Sequence, residues 1–259
     1  MSAEPTPSDP PSRPDFATVL ARVADVEGWM TEGQAHALYD AARSCPKGGT
    51  IVEIGSFRGR STIVLASAAD PSVTVYAIDP HAGNDRGPQE IEGFAAEADD
   101  DHAVFNRNLA EAGVADRVRH IRKFSDDALA DVPAAIDVLY IDGAHRYAPA
   151  RADIAAWGGR VPPGGTMLIH DSFSSVGVTA AIARELVAST RFRYVGRSRS
   201  MAIYRCDLGA GITDRSRNAL RQLAQLPWFA KNLALKVFLG AGGGKLVERT
   251  GRTAPEWPY

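Results

Sequence analysis

Two stretches of the sequence place a carboxylate next to an imidazole directly after an apolar run. The stretch YIDGAH contains Asp142 and His145, and the stretch LIHDS contains His170 and Asp171. Two carboxylates brought close together repel each other unless a proton or a cation lies between them. Oxygen ligands suit Mg²⁺, and histidine titrates in the range where a general base works near neutral pH. The pattern predicts a catalytic or metal-binding site at the ends of two strands.

A glycine-containing turn follows the apolar run TIVEIG and is a candidate ligand-binding site. In VEIGSFRGRS, Gly55 and Gly59 flank Ser56 and allow a ligand to approach the backbone, and a helix beginning near Ser61 offers free N–H groups. The spacing is G-x-x-x-G, so it does not meet the dinucleotide fingerprint G-x-G-x-x-G. Glu53 either accepts a hydrogen bond from the ammonium group of a ligand or is satisfied by the local backbone.

Further polar residues come after the next two apolar runs. Asp79 ends one of them, 24 residues after Gly55, where an acid is placed to accept the hydroxyls of a ribose. Ser125 and Asp126 follow the other and are candidates for contacting an adenine, although a helix N-cap explains Ser125 equally well.

The elements that would position these residues are strands and helices that alternate along the chain. Strands are predicted over 50–55, 73–79, 118–124, 136–142 and 165–171, and a closing hairpin over 192–198 and 201–207. Helices are predicted over 15–44 with a break near Trp29 and Met30, and over 61–69, 103–114, 147–158 and 178–189. This alternation predicts an α/β fold with a mostly parallel sheet that is covered on both faces.

Taken together, the glycine turn, Asp79, NLAEAGV, the Ser125–Asp126 pair and YIDGAHRY…PGGTMLIHD resemble the class I S-adenosylmethionine-dependent methyltransferases. The resemblance covers residues 29–206, and it is closest to small-molecule O-methyltransferases related to macrolide-sugar and cephalosporin-biosynthesis proteins. It implies a Rossmann-like sheet of seven strands, mostly parallel, with helices on both faces and an antiparallel last strand.

The resemblance also implies roles for individual residues. The cofactor S-adenosylmethionine would contact a set made of Glu53, Gly55, Ser56, Gly59, Ser61, Asp79, Ser125, Asp126 and Asp142. Mg²⁺ or Mn²⁺ would be held by Asp142, His170 and Asp171, and His145 would be the general base beside the catalytic Asp142. His170 departs from the family, which has an acid there. It suits Mn²⁺ or a transition metal better than Mg²⁺, and it is alternatively a support for the metal ligands or a second base.

The function expected from the resemblance is O-methylation of a sugar, a glycan or a polyhydroxylated natural product. A catechol-like phenol acceptor is the alternative, although catechol enzymes have an asparagine where Ser172 follows Asp171. A non-catalytic cofactor-binding protein is the other alternative. Expected partners are a small-molecule or oligosaccharide acceptor and a second copy in a homodimer. A net charge of −2 gives no reason to expect nucleic acid, no apolar run is long enough for a membrane span, and two cysteines without CxxC spacing favour the cytoplasm.

The chain of 259 residues is predicted to have three parts. Residues 1–14 form a disordered proline-rich leader, 15–206 the methyltransferase domain, and 207–259 a basic, amphipathic helical extension. Residues 210–259 hold eight Lys and Arg against three acids, which fits a packed helix with a solvated basic face, a dimer arm, or a patch for an anionic or glycan substrate. The loop over 80–101 is the candidate lid.

Overall fold

The computed structural model describes residues 13–82, 95–209, 211–243 and 253. Most of the predicted leader and the middle of the predicted lid, residues 83–94, lie outside the described residues. The end of the basic extension also lies outside them, apart from residue 253.

The strands and helices alternate as predicted, with small differences at most ends. The helix predicted over 103–114 instead begins at Ala95, so the end of the stretch predicted as a lid loop is helical. The strands are β1 (Thr50–Ile54), β2 (Thr74–Ile78), β3 (Val118–Ile121), β4 (Val138–Ile141), β5 (Thr166–Ile169), β6 (Arg193–Ser198) and β7 (Met201–Arg205). The helices are α1 (Phe16–Arg22), α2 (Glu32–Ser44), α3 (Arg60–Ala68), α4 (Ala95–Glu111), α5 (Tyr147–Gly158), α6 (Val176–Glu185), α7 (Ile212–Leu223) and α8 (Leu226–Gly240).

The seven strands form one sheet in the order β3-β2-β1-β4-β5-β7-β6. Strands β1 to β5 are parallel, and β7 runs antiparallel to both β5 and β6. This confirms the predicted Rossmann-like sheet with an antiparallel end. The strand order reverses between β1 and β4, which is the position where open α/β sheets bind their ligands.

The two faces of the sheet carry separate apolar cores, because successive residues of a strand point to opposite faces. Ile51 of β1 packs with Leu38 of α2 and Ile63 of α3. Its neighbour Val52 packs in the other cluster, with Trp157 of α5. The strands are therefore buried on both sides, and their polar groups collect beyond the strand ends.

The long helix predicted over 15–44 is two helices. Asp15 caps α1 by accepting a hydrogen bond from the Thr18 N–H at 2.8 Å. A capping box starts α2, in which Thr31 and Gln34 each accept a hydrogen bond from the backbone N–H of the other. This box fixes the direction of the Gln34 amide, because its Oε1 atom faces an obligatory backbone donor.

The C-terminal helices contact the rest of the protein through amide side chains. Asn218 of α7 accepts a hydrogen bond from the Tyr194 N–H at 2.7 Å and donates one to the Phe192 carbonyl at 3.0 Å. Asn232 of α8 donates to the Phe173 carbonyl at 3.1 Å. No helix within the described ranges has both the length and the apolar character needed to cross a membrane.

Candidate functional site

The turn after β1 and the end of β4 touch at the point where the strand order reverses. Gly55 has a φ of 84°, and a Cβ atom at this position would lie 2.2 Å from the Asp142 carbonyl oxygen. Only glycine has both the freedom for this conformation and the space for this contact. The predicted cofactor turn and the predicted metal ligand are therefore neighbours.

Several side-chain-bearing residues adopt left-handed backbone conformations at the same edge of the sheet. Phe57 follows β1, His81 follows β2, and Asp171 and Phe173 follow β5, with φ between 43° and 55°. Such conformations are uncommon for residues with a Cβ atom, and they cluster at functional sites. The backbone strain marks the same edge of the sheet as the polar residues.

Asp79 holds the glycine turn in place. Its Oδ2 atom accepts hydrogen bonds from the backbone N–H groups of Ser56 at 2.9 Å and Phe57 at 2.8 Å, and its Oδ1 atom accepts one from His81 at 2.8 Å. A carboxylate offers about four acceptor positions. These three bonds leave acceptor capacity on Asp79 for a ligand hydroxyl.

Glu53 lies behind the turn and is fully buried. Its two carboxyl oxygens accept hydrogen bonds from the hydroxyls of Ser61 and Thr62, in the first turn of α3. Burial raises the pKa of Glu53 to about 8, although these two hydrogen bonds act in the opposite direction. Glu53 and Ser61 thus join β1 to α3. The contacts are local, as one of the two interpretations of the sequence expects, but they come from hydroxyls instead of the backbone.

Two features of the glycine turn suit a polar ligand. The Ser56 hydroxyl is buried and has no hydrogen-bond partner among the described residues. Gly59 is the N-cap of α3 with a φ of 87°, and it provides no side-chain cap for the helix. A buried hydroxyl without a partner is costly unless a ligand satisfies it, and an uncapped helix N-terminus favours a negatively charged group.

The Ser125 hydroxyl donates a hydrogen bond to Oδ1 of Asp153, a buried residue of α5. Burial raises the pKa of Asp153 to about 6. Asp126 is exposed. Asp153 was not predicted as a site residue, and its signal in the sequence is an acid on a mostly apolar helix.

The predicted acids and histidines after β4 and β5 form one cluster. His145 Nε2 lies 2.7 Å from Asp171 Oδ2. His170 Nδ1 lies 3.0 Å from Asp142 Oδ1 and 3.4 Å from Asp171 Oδ2. The Tyr140 hydroxyl donates a hydrogen bond to Asp142 Oδ2 at 2.9 Å. The structure therefore brings together all four residues of the two stretches that the sequence pattern singles out.

The charges of the cluster shift its pKa values. Burial lowers the pKa of His145, but the hydrogen bond to Asp171 and its charge outweigh burial, and the net shift is upward. In the same way, burial opposes the effect of the two histidines on Asp171, whose pKa is held well below its usual range. Asp171 is therefore a carboxylate at neutral pH, and its charge favours protonation of the neighbouring histidines.

The cluster offers oxygen and nitrogen atoms that could hold a metal ion. One ligand atom each from Asp142, His170 and Asp171 lies within 4.8 Å of the others. Two carboxylates at this spacing fit a hard divalent cation that keeps several of its waters.

His170 fits less well as a metal ligand. Its Nε2 atom lies 3.2 Å from the Gln34 amide nitrogen, which is a donor because the capping box holds Gln34 Oε1 against the Thr31 N–H. Burial lowers the pKa of His170, but the charges and hydrogen bonds of Asp142 and Asp171 outweigh burial and raise that pKa to about 10. A proton therefore stays on Nδ1, the atom that faces the carboxylates, and a neutral ring that accepts from Gln34 at Nε2 also carries its hydrogen there. A protonated Nδ1 cannot bind a metal. Gln34 was not identified from the sequence, where it is recognisable only as part of a capping box.

The loop that carries His145 is fixed by the start of α6. The Ser175 hydroxyl donates a hydrogen bond to the His145 carbonyl at 3.2 Å. A Cβ atom on Gly177 would lie 2.2 Å from the same carbonyl, so glycine allows the two segments to touch. The His145 side chain remains 41% exposed and is accessible to a substrate.

Comparison with known proteins finds a matching family and similar folds. Residues 52–172 match a protein family described as a methyltransferase domain. The O-methyltransferase NovP is similar in structure, with 17% sequence identity and a TM-score of 0.53 over 70% of this chain and 83% of that one. A protein from Corynebacterium glutamicum shares 15% identity, with a TM-score of 0.55 over 77% of this chain and 93% of its own.

A sequence relative is protein y4gI of Sinorhizobium fredii, whose function is uncharacterised. It is 28% identical over 127 residues, which make up 47% of this chain. The match spans only 13% of the length of that relative. The structural matches are below 25% identity and show a shared fold.

Proposed function

We propose that this chain, which carries a class I S-adenosylmethionine-dependent methyltransferase domain, transfers a methyl group from S-adenosylmethionine to a hydroxyl group of an acceptor. The observation that carries the proposal is the pair His145 and Asp171. An accessible imidazole is held 2.7 Å from a carboxylate, beside the point where the strand order reverses. Removing a proton from a hydroxyl is the chemical task that O-methylation leaves to the protein.

In this proposal His145 is the general base. Asp171 orients its ring and stabilises the imidazolium that forms when His145 takes the hydroxyl proton. The base must be unprotonated to act. Because the pKa of His145 is raised, activity is expected to rise with pH through a value above the ordinary 6.5 of histidine.

Residues on the other side of the reversal point would bind the cofactor. Gly55 and Gly59 let the turn approach it, and the Ser56 hydroxyl and the remaining acceptor position of Asp79 would meet its polar groups. The sulfonium of S-adenosylmethionine supplies an already activated methyl group. The task of the protein is then to align the acceptor hydroxyl with that methyl group.

A divalent cation, Mg²⁺ or Mn²⁺, would be held by Asp142 and Asp171, with water and acceptor oxygens completing its ligands. Such a cation lowers the pKa of a bound hydroxyl and fixes its position. The donor set supports this role for the two carboxylates. It does not support His170 as a third ligand, because of the Gln34 contact.

The proposed acceptor is a small molecule or oligosaccharide with neighbouring hydroxyls, such as a sugar. The family resemblance carries this part of the proposal. The structure adds one observation that bears on the catechol alternative. The Ser172 side chain is buried and donates to the Ile169 carbonyl at 2.8 Å, so it does not replace the asparagine that catechol enzymes use at this position.

A methyl-transfer assay with sugar and catechol panels tests the function. We expect transfer to a sugar hydroxyl, and we expect His145→Ala to lower kcat by about 10²–10⁴-fold with little change in cofactor affinity. His36→Ala is the matched control, because His36 lies on α2 and is paired with the exposed Asp40. The assignment of His145 as the base would be refuted if both variants lost kcat equally. It would also be refuted if His145→Ala kept the wild-type kcat on the accepted substrate.

A further inference from the structure

The helices α7 and α8 expose an unusual number of large apolar side chains. Of the twelve such side chains on the described residues, seven belong to these two helices: Ile212, Leu220, Leu223, Leu226, Leu233, Val237 and Phe238. Single exposed apolar residues are normal on protein surfaces, but a concentration of them marks an interaction site.

The usual orientation of an amphipathic helix is inverted in α7, and in both helices the fully buried side chains are amides. The buried residues of α7 are Asn218 and Gln222, and the buried residue of α8 is Asn232. Their amides are satisfied by hydrogen bonds to the domain, including those of Asn218 with β6 and of Gln222 with the Leu186 carbonyl at 3.1 Å. Trp228 and Phe229 of α8 pack partly against the core of the domain. The seven exposed side chains are not accounted for by packing within the described residues.

The same segment is strongly cationic. Between residues 211 and 243 there are five cations and one acid: Arg215, Arg217, Arg221, Lys231, Lys236 and Asp214. The whole chain has a net charge of −2, so the positive charge is concentrated in this segment. Apolar side chains combined with arginine and lysine on a helix are the features of helices that lie in a membrane interface.

We propose that α7 and α8 dock on an anionic lipid surface, with the exposed apolar side chains inserted between the headgroups. The exposed cations Arg215, Arg217, Arg221 and Lys231 would lie against the headgroups. Charge favours this occupant over a second copy of the chain, because pairing these helices with themselves would bring like charges together. The docking is independent of the proposed methyl transfer and requires no membrane span.

The position of α8 gives the docking a consequence for the candidate site. Its inward face contacts the loop after β5 through Asn232 and Phe173, and its Lys236 is close enough to Asp171 for their charges to interact. A helix is about 10–12 Å across. A docked α8 would therefore hold the acceptor side of the cluster roughly one helix diameter from the lipid surface.

Co-sedimentation of the full chain with vesicles tests the proposal. We expect binding to vesicles containing phosphatidylglycerol, weaker binding at high salt, and little binding to vesicles of phosphatidylcholine alone. Leu220→Asp and Val237→Asp remove exposed side chains and should each weaken binding about tenfold. Val195→Asp, at an exposed position of β6, is the matched control and should bind as the wild type does.

Light scattering and thermal unfolding of the same variants distinguish the remaining outcomes. Unchanged unfolding temperatures would show that the aspartates act on docking and not on folding. A wild-type dimer that Leu220→Asp and Val237→Asp convert to a monomer, without vesicle binding, would make a second copy the occupant and overturn the proposal. Wild-type binding that does not depend on phosphatidylglycerol would also overturn it. Either result can be obtained whether or not the chain methylates a sugar.

Discussion

The contact between Gly55 and the end of β4 makes a sharp prediction for Gly55→Ala. The left-handed conformation, with a φ of 84°, costs a residue with a Cβ atom about 1–2 kcal/mol. The added methyl group would lie 2.2 Å from the Asp142 carbonyl oxygen, so β1 and β4 would have to separate by roughly 1 Å to reach a normal contact. Overpacking of this kind costs about 1–3 kcal/mol more. The expected loss in the free energy of unfolding is about 2–5 kcal/mol, a large part of the stability of a typical domain.

Gly164 provides the control for this substitution. Its φ is 85°, nearly the same as that of Gly55, but no atom lies within 4 Å of its hypothetical Cβ. Gly164→Ala should therefore cost only the conformational part, about 1–2 kcal/mol. Urea unfolding of both variants measures the difference, and calorimetry with S-adenosylmethionine should show weaker binding for Gly55→Ala alone. Equal destabilisation of the two variants would refute the claim that the close approach of the strand ends restricts position 55.

Three further predictions concern the polar residues of the site. Asp79→Ala should weaken S-adenosylmethionine binding by about 1–3 kcal/mol in calorimetry, because both the turn and a ligand hydroxyl lose a charged acceptor; unchanged affinity would remove Asp79 from the cofactor site. Glu53 has a folded-state pKa of about 8, above its ordinary value of 4.5, so its contribution to stability is present at low pH and is lost as the pH rises between these values. Glu53→Gln should flatten the pH dependence of the unfolding free energy across that window, and an unchanged profile would contradict a raised pKa. If Mn²⁺ binds at Asp142 and Asp171, pulsed electron paramagnetic resonance should show no directly bound imidazole nitrogen in the wild type, and a strong nitrogen coupling would identify His170 as a ligand after all.

The sheet and the positions of the polar residues were predictable because both depend on local patterns. Apolar runs of strand length that end in Asp79, Asp142 and Asp171 place those carboxylates at one edge of a parallel sheet, whatever the details of packing. The hydrogen-bond partners were not predictable in the same way. The contact between Gln34 and His170 joins residues 136 positions apart, and nothing in a capping box indicates which distant ring it will reach.

The orientation of α7 could not be predicted from the sequence either. The periodicity of α7 shows an apolar stripe and a polar stripe, and the usual rule turns the apolar stripe inward. Here Asn218 and Gln222 find backbone and hydroxyl partners on the domain, so the amide stripe is the one that is buried. Such a choice depends on which polar groups the domain leaves at its surface, and those groups exist only after it has folded.

The strand order also determines when the sheet can be completed during synthesis. β1 is central, and its neighbour β4 is separated from it by most of the first half of the chain, with Ile51 paired to Val138. Until β4 has left the ribosome, β1 presents an unpaired edge lined by apolar residues, which is the kind of edge that promotes aggregation. Closing so long a loop is entropically unfavourable and slow. A nascent chain that stalls before Ile141 would thus keep this edge exposed, whereas one that has passed β5 already holds the five parallel strands of the sheet.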